Sequence, residues 1–361
     1  MSGGVLLRFQ PPEDIFPSVK EWLEIGEETD DRKGIYKPIY PHFYLTKRVK
    51  NPPVRYPIKL EEGYAAIIPG GRVWGDNGAI VTPENKLIWD VSLEWVKNKW
   101  DHSIFKMETL PPVTHYYDAI ADLTHVGSRN YYHWMFEVLP RLHLIQQSGF
   151  KVDRFIMKYA PEHSPFQSET MTHLGISIDD IQKTHRWFHI QAENLIVPSQ
   201  PTFVTKWAYD FLRNSFLSEN KSNPSINKRI YISRKETRRI LNEIDLMGFL
   251  NGFGFIKVEL EMMSVAEQVQ LFSGVEAIIA PHGAGLTNLT FCPPKTKILE
   301  IFPSTYITGL YWLISALGNL DYYYFIGESE HVPNAQQWNG YDNITIDMKK
   351  FSNFFKKMGI R

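Results

Sequence analysis

The chain has few cysteines, no long apolar run and little net charge. It contains one cysteine, Cys292, which excludes an internal disulfide. No apolar run in the sequence approaches the length of a membrane span. The chain contains 39 Lys and Arg residues and 40 Asp and Glu residues, so its net charge is −1. A chain with so little net charge has no overall electrostatic field that attracts nucleic acid. Any basic site must therefore be local.

The sequence also begins without the basic and apolar pattern of a signal peptide. Together with the single cysteine, this absence predicts a protein of the reducing cytoplasm. A hydrophobic content of 43 % and a charged content of 22 % are ordinary for a globular protein and argue against disorder. A chain of 361 residues exceeds the usual size of one domain, so two domains are expected.

Local patterns predict where these parts begin and end. Residues 1–60 are irregular and rich in proline, and we expect an N-terminal arm there. Residues 61–220 start with hairpin signals and continue into strand and helix patterns, which predicts an N-terminal domain. Residues 221–335 follow a polar break and predict a C-terminal domain. Residues 336–361 end in an amphipathic basic helix over 347–361, which either packs back on the protein or contacts an anionic membrane.

The C-terminal domain shows the clearest alternation of strands and helices. The predicted strands are 229–233, 254–259, 277–280, 297–302 and 322–326. The predicted helices between them are 243–250, 264–272, 284–291 and 308–317. Repeats of this length predict a parallel sheet with right-handed crossovers, as in a Rossmann-like domain.

A glycine-containing turn follows the strand 277–280. The sequence reads His282-Gly283-Ala284-Gly285-Leu286-Thr287-Asn288. Glycines here would let the backbone approach a bulky anion, and the N-terminus of the next helix would favour negative charge. We interpret the turn as a diphosphate cradle. The alternative is a tight turn in which glycine is needed only for a positive φ.

Two further segments carry candidate chemistry. Arg234 and Arg238 lie in a basic run after strand 229–233 and could neutralise a diphosphate, although such a run is often only a solvated surface. His133 and Glu137 lie at positions i and i+4 of a predicted helix that starts near Asn130 and continues to Arg141. Either His133 or Glu137 could take a proton from a hydroxyl, and a surface or core pair is equally compatible with the pattern.

These three segments resemble the motifs of glycosyltransferase family 61, in the same order and over about residues 115–303. The family includes bacterial polysaccharide enzymes, plant xylosyl- and arabinosyltransferases and animal O-linked N-acetylglucosaminyltransferases. The resemblance assigns His133 and Glu137 to catalysis. It assigns nucleotide-sugar binding to a larger set, which comprises Asn130, Ser233, Arg234, Arg238, Asn242, Glu243, His282, Gly283, Ala284, Gly285, Leu286 and Asn288. Glu300 lies at the end of a predicted strand, and from this position we expect it to accept hydrogen bonds from the ribose hydroxyls of the nucleotide sugar.

The resemblance implies an α/β fold of the GT-B type, with two Rossmann-like domains whose parallel sheets face a central cleft. It implies inverting transfer of a sugar from a nucleotide sugar, expected to be UDP-linked, to a hydroxyl of a glycan or lipid-linked glycan. No metal or other cofactor is expected, since Glu259 and Glu261 lack a third ligand. The missing secretory signal points to bacterial surface polysaccharide synthesis.

Two other functions fit the same patterns. A dinucleotide-dependent oxidoreductase would also use a parallel sheet and a glycine turn, but residues 283–288 do not match the G-x-G-x-x-G fingerprint. A non-catalytic protein that binds carbohydrate or a partner could retain the whole fold. The sequence alone does not separate this second possibility from an enzyme.

Overall fold

The computed structural model describes residues 9–27, 34–45, 52–54, 59–217, 228–332 and 340–361. The contacts between residues divide the protein into two compact units. The first unit consists of the described residues of 1–43 and 61–207. Those of 44–60 form a second unit with 208–361. Every helix within the described ranges is too short or too polar to cross a bilayer.

The strands of the described residues are, in chain order, β1 Ile15–Phe16, β2 Ile35–Tyr40, β3 Phe43–Tyr44, β4 Lys59–Leu60, β5 Gly63–Pro69, β6 Arg72–Trp74, β7 Ala79–Val81, β8 Leu87–Ile88, β9 His115–Asp122, β10 Arg154–Met157, β11 Ile181–Lys183, β12 His189–Pro198, β13 Lys228–Ile232, β14 Phe255–Val258, β15 Val275–Pro281, β16 Lys297–Pro303, β17 Asp321–Ser329 and β18 Ile344–Thr345.

The α-helices are α1 Val19–Glu27, α2 Tyr131–His133, α3 Leu139–Ser148, α4 Phe166–His173, α5 Lys206–Leu217, α6 Glu243–Asn251, α7 Val265–Ser273, α8 Leu310–Leu317 and α9 Met348–Phe355. A π-helical turn, Trp134–Val138, joins α2 to α3, and a 3₁₀ helix spans Ala284–Phe291. Shorter 3₁₀ turns occur at Trp89–Val91, Lys99–Asp101, Ser103–Lys106, Ile178–Asp180, Leu260–Met262 and Lys356–Met358.

The first unit is built on a mixed sheet with β12 at its centre. The strand order is β1-β8-β7-β6-β12-β9-β10-β11, and β5 pairs with both β12 and β2. Strands β9, β10, β11 and β12 are parallel, as expected for a Rossmann-like domain, whereas β5 and β6 run antiparallel to β12. The short turn over residues 75–78 joins β6 directly to β7, and strands joined in this way are antiparallel. The sheet is therefore only partly parallel.

The described residues of 9–40 in the predicted N-terminal arm belong to the first unit and add strands to this sheet. Strand β1 pairs with β8, and β2 pairs with β5. Phe16, Val19 and Trp22 are buried in the same hydrophobic core as the central strand β12. These apolar side chains stabilise the fold by leaving water, so the segment is a structural part of the first unit and the prediction of a separate arm is wrong there.

The second unit confirms the predicted alternation of strands and helices. Its sheet has the order β14-β13-β15-β16-β17-β18, and all pairs except the last are parallel. The central strand β15 is almost continuously apolar because helices and loops cover both faces of a parallel sheet. The carboxyl ends of β13, β15 and β16 meet at one edge of the sheet.

The C-terminal segment forms the predicted amphipathic helix, α9. The Asp347 side chain caps its N-terminus by accepting hydrogen bonds from two main-chain N–H groups. Phe351 and Phe355 point into the core of the second unit and are fully buried. The apolar face of α9 thus packs on its own unit.

One buried ion pair fixes the strand end that leads into the candidate catalytic residues. Arg141 of α3 is fully buried, and its Nη2 lies 3.1 Å from Oδ2 of Asp122, the last residue of β9. Its Nη1 also donates to the main-chain oxygen of Thr124 at 2.7 Å. Arg141 ends the predicted helix segment that carries His133 and Glu137, but its side chain turns to β9 and takes no part in their pair.

We expect Arg141→Met to lower the free energy of unfolding of the first unit by about 3–5 kcal/mol, because the Asp122 carboxylate would stay buried without its partner. Urea denaturation followed by circular dichroism measures this loss. Arg154→Met, at an exposed arginine of β10, serves as the matched control. A loss of less than about 1 kcal/mol for Arg141→Met would contradict the assigned role.

Candidate functional site

The Arg234 guanidinium lies directly on the backbone of Gly283, at the carboxyl edge of the second sheet. A methyl group at Gly283 would overlap Nη1 of Arg234. Gly283 has φ 169°, which is extended backbone that any residue adopts, so a positive φ is not the reason for glycine here. The glycine is required by the close approach of the arginine, which brings the predicted cradle and the predicted basic run together.

Thr237 holds Arg234 in this position. The Nε of Arg234 donates to the main-chain oxygen of Thr237 at 2.8 Å, and Nη2 donates to its Oγ1 at 3.2 Å. The remaining guanidinium nitrogen, Nη1, is the one above Gly283. Arg234 is therefore pre-oriented, with one end of its fork directed at the cradle.

Arg238 brings a second positive charge close to Arg234. Burial lowers the pKa of Arg238, and the charge of Arg234 lowers it further. The Arg238 Nε donates to the main-chain oxygen of Gly340 at 2.5 Å, and its guanidinium lies over the rings of Tyr306 and Tyr341. Two guanidinium groups kept near each other repel, so an anion between them would be stabilising.

His282, next to Gly283, is neutral in this setting. Burial lowers its pKa well below the usual value, and the charges of Arg238 and Arg234 act in the same direction. Its Nδ1 lies 2.5 Å from Oε1 of Glu300. His282 is packed among aromatic rings, namely Phe302, Tyr306 and Tyr311.

Glu300 supports His282 from within the core. Its side chain is completely buried, and burial raises the pKa of its carboxyl to about 8. The second oxygen accepts a hydrogen bond from the Tyr322 hydroxyl at 2.5 Å. Because both oxygens have partners inside the protein, the structure gives Glu300 a supporting role at His282, and its contact with ribose hydroxyls stays a prediction.

Ser233 and Glu243 form a second support, beneath the basic run. Ser233 Oγ donates to Glu243 Oε1 at 2.6 Å, and the Tyr231 hydroxyl donates to the same oxygen at 2.9 Å. Lys257 donates to the other oxygen at 2.6 Å. Burial alone would raise the pKa of Glu243, but these hydrogen bonds lower it, so the group is a fixed carboxylate.

Other predicted binding residues also have structural roles. Asn242 exchanges two hydrogen bonds with the main chain of Ile346. Asn288 is buried and donates to Gln268 and to the main-chain oxygen of Gly285. These asparagines connect segments of the second unit. Among the remaining cradle residues, Leu286 is buried, whereas Ala284 and Gly285 are partly exposed.

In the first unit, the predicted pair of His133 and Glu137 is present and has a third member. Nδ1 of His133 lies 2.6 Å from Oε2 of Glu137, and Nε2 of His125 lies 2.9 Å from the same oxygen. Glu137 lies in the π-helical turn, a form of helix that often occurs at functional sites. Burial alone would raise the pKa of Glu137, but hydrogen bonds from His125 and His133 lower it, so it is a carboxylate.

Hydrogen bonding fixes the proton positions in this group. The main-chain N–H of Gly127 donates to Nδ1 of His125 at 3.0 Å, so the single proton of that neutral ring lies on Nε2 and points at Glu137. Burial lowers the pKa of His125, which keeps the ring neutral. His133 likewise directs a proton on Nδ1 to the carboxylate. Its Nε2 then carries a lone pair, and no hydrogen bond to this atom is found within the described ranges.

Within the described residues, His125, His133 and Glu137 form a group whose ligand atoms lie close enough to hold a metal ion. A metal at Nε2 of His125 would need a lone pair on that nitrogen. The ring would then have to place its proton on Nδ1 and give up the hydrogen bond from Gly127. The observed hydrogen bonds therefore fit a proton-transfer group better than a metal centre.

The surroundings of this group were only partly predicted from the sequence. Asn130, which was predicted to bind the nucleotide sugar, instead caps the helix by accepting from the Tyr132 N–H. Gly127 packs under His133 and Trp95, since a methyl group there would lie 2.8 Å and 2.9 Å from their rings. The weak signal for His125 was a histidine and a glycine two residues apart after a strand end.

Comparison with known proteins places these clusters in a family. The glycosyltransferase 61 family model matches residues 131–299, a range that contains His133, Glu137, Arg234, Arg238 and the cradle. The β-1,2-xylosyltransferase RCN11 of Oryza sativa subsp. japonica is 27 % identical over 169 residues, which cover 42 % of this chain and 30 % of that protein. The predicted resemblance to this family is confirmed over residues 131–299.

A second relative and a solved structure are also similar to this chain. The protein O-linked-mannose β-1,4-N-acetylglucosaminyltransferase 2 of Takifugu rubripes is 36 % identical over 77 residues, or 20 % of this chain and 13 % of that protein. The chain thus spans less than a third of the length of these curated relatives. Among solved structures, the E. coli heptosyltransferase WaaC with ADP aligns with a TM-score of 0.32 and 8 % identity, covering 67 % of this chain and 99 % of that one.

Gly283→Ala should weaken the binding of inorganic pyrophosphate and UDP by about fivefold, roughly 1 kcal/mol, because its methyl group would displace the Arg234 guanidinium. Isothermal titration calorimetry measures both affinities. In an Arg234→Ala background the same change should have little further effect, since the displaced group is already gone.

Gly248→Ala in helix α6 is the matched control, because a methyl group there would meet no described atom within 4 Å. It should leave both affinities unchanged. If Gly283→Ala bound both anions as tightly as wild type, the contact between Arg234 and Gly283 would have no role in anion binding.

Proposed function

We propose that this glycosyltransferase 61 family member transfers a sugar from a nucleoside diphosphate sugar to an acceptor hydroxyl. The observation that carries the proposal is the contact between Arg234 and Gly283, which places a guanidinium nitrogen against the main chain of the cradle. A diphosphate is the ligand chemistry that this combination suits, because arginine forks and main-chain N–H groups both donate to phosphate oxygens.

The second unit would bind the donor and stabilise its departing diphosphate. Arg234 and Arg238 supply two positive charges that are held by hydrogen bonds within the protein, so little reorganisation is needed as charge develops on the leaving group. His282 is neutral and buried beside them. It adds a polar ring without adding a third repelling charge.

His133 is the proposed base. The hydrogen bonds at Glu137 orient the ring through Nδ1, which leaves Nε2 as the proton acceptor. Glu137 is a poor candidate for direct contact with a hydroxyl, because it is buried and already receives two hydrogen bonds. A histidine held by a carboxylate is a recurring arrangement for taking a proton near neutral pH.

The finer details follow from the family resemblance and the arrangement of charge. One base and one leaving-group site suit a single displacement, which inverts the configuration at the anomeric carbon of the sugar. We propose UDP as the nucleotide and a glycan or lipid-linked glycan as the acceptor. The two arginines provide the positive charge that a metal ion would otherwise supply, so metal-independent transfer is proposed. A cytoplasmic role in bacterial surface polysaccharide synthesis remains a prediction.

The test separates binding from turnover. Screening UDP-, GDP- and CMP-sugars for thermal stabilisation identifies the donor, and release of the nucleotide then reports transfer. Arg234→Ala should weaken nucleotide diphosphate binding about tenfold or more, because a charge-assisted hydrogen bond is lost. His133→Ala should leave that affinity near the wild-type value and lower turnover by at least about a hundredfold.

Two exposed residues serve as controls. Arg239→Ala removes an arginine of the same loop, and His163→Ala removes an exposed histidine of the first unit. Both variants should bind and turn over donor like wild type. Equal nucleotide affinity in wild type and Arg234→Ala would count against the proposed donor site, and full turnover in His133→Ala would remove the proposed base.

A further inference from the structure

A cavity of about 350 Å³ lies in the first unit, and most of its lining residues precede the range matched by the family model. Its wall comes from the turn after β6, from the segment around Glu94 and Ser103, and from Arg186 and Trp187. The volume is within the range of small-molecule sites. Nothing in the proposed catalytic arrangement uses this cavity.

Several polar side chains of the cavity wall are held in fixed orientations. Glu94 accepts hydrogen bonds from the Ser103 hydroxyl at 2.7 Å and from Asn77 at 3.2 Å, so the carboxylate is fixed. Lys158 holds Asp76 at 2.6 Å and Asn77 at 2.9 Å. Side chains locked in this way present a fixed set of acceptors and donors to a ligand rich in hydroxyl groups.

Two tryptophans add apolar surface and an unused donor. Trp74 lines the cavity and is 6 % exposed, and its indole N–H finds no hydrogen-bond partner in the described part of the chain. A buried donor without a partner is costly, which is why such groups deserve a functional explanation. Trp187 also lines the cavity and is 52 % exposed, so its face is accessible to a flat apolar surface.

Adjacent residues connect the cavity to the proposed base. Trp95 directly follows the cavity residue Glu94, is 68 % exposed, and lies with its ring 5.1 Å from the ring of His133. A second contact links the cavity to His125. Gly78, which follows the cavity residue Asn77, packs so closely on Thr124, the residue before His125, that a methyl group at Gly78 would overlap it. The cavity and His133 are therefore neighbours within one unit.

We propose that the cavity and Trp95 together bind a neutral oligosaccharide, as the acceptor of the transfer. One sugar ring would stack on Trp95 beside His133, and the next ring would occupy the cavity against Trp187, with its hydroxyls on Glu94 and on the Trp74 N–H. Aromatic faces combined with fixed polar groups are suited to sugars, which have apolar faces and polar edges. This inference rests on the proposed function, because it takes His133 as the base.

The experiment measures acceptor binding in the absence of donor, with the full chain. Isothermal titration calorimetry with xylotriose, cellotriose and maltotriose, each compared with its monosaccharide, should show at least one trisaccharide that binds about tenfold or more tightly than its monosaccharide. Trp187→Ala should weaken that binding about fivefold, and Trp187→Phe should retain most of it because the ring remains.

Trp100→Ala is the matched control, since Trp100 is 48 % exposed and does not line the cavity. It should bind the trisaccharide like wild type, and UDP affinity should be the same in all these variants. The inference is overturned if no trisaccharide binds, if a monosaccharide binds equally well, or if Trp187→Ala behaves like Trp100→Ala. A failure of the proposed function would appear separately, as an absence of UDP binding.

Discussion

The contact between the Arg234 guanidinium and the Gly283 main chain is the constraint on which the proposed donor site depends. It joins the turn after β13 to the turn after β15, at the edge where the parallel strands of the second sheet end. Thr237 fixes the arginine, and a side chain at Gly283 would displace it. Arg238 adds a second charge that is unfavourable without an anion nearby. The local structure therefore already has the charge distribution that a diphosphate requires.

Most of the second unit could be predicted from the sequence, because its strands are short apolar runs separated by helices with clear periodicity. The predicted strand 297–302, for example, is Lys297–Pro303 in the structure. The first unit was harder to predict. Its central strand β12 contains Gln191, Glu193 and Asn194, which interrupt the apolar pattern, and only its pairing with three other strands makes it the centre of the sheet.

Some residues of the candidate site could likewise be predicted from the sequence, and others could not. Arg234, Gly283, His133 and Glu137 could be found because motif order and helical spacing are properties of the sequence. The role of His125 could not, because it depends on a long-range contact with Glu137. Glu300 was assigned to a ligand from its position at a strand end, whereas burial in the folded chain directs it to His282 and Tyr322. Burial and side-chain direction are tertiary properties that a single sequence does not encode locally.

The most direct measurement is a crystal structure of the protein with UDP bound. The account predicts that diphosphate oxygens lie within hydrogen-bond distance of Arg234 Nη1 and of a main-chain N–H next to Gly283, with Arg234 still held by Thr237. A diphosphate bound elsewhere, with Arg234 and Gly283 free of contact to it, would contradict the account.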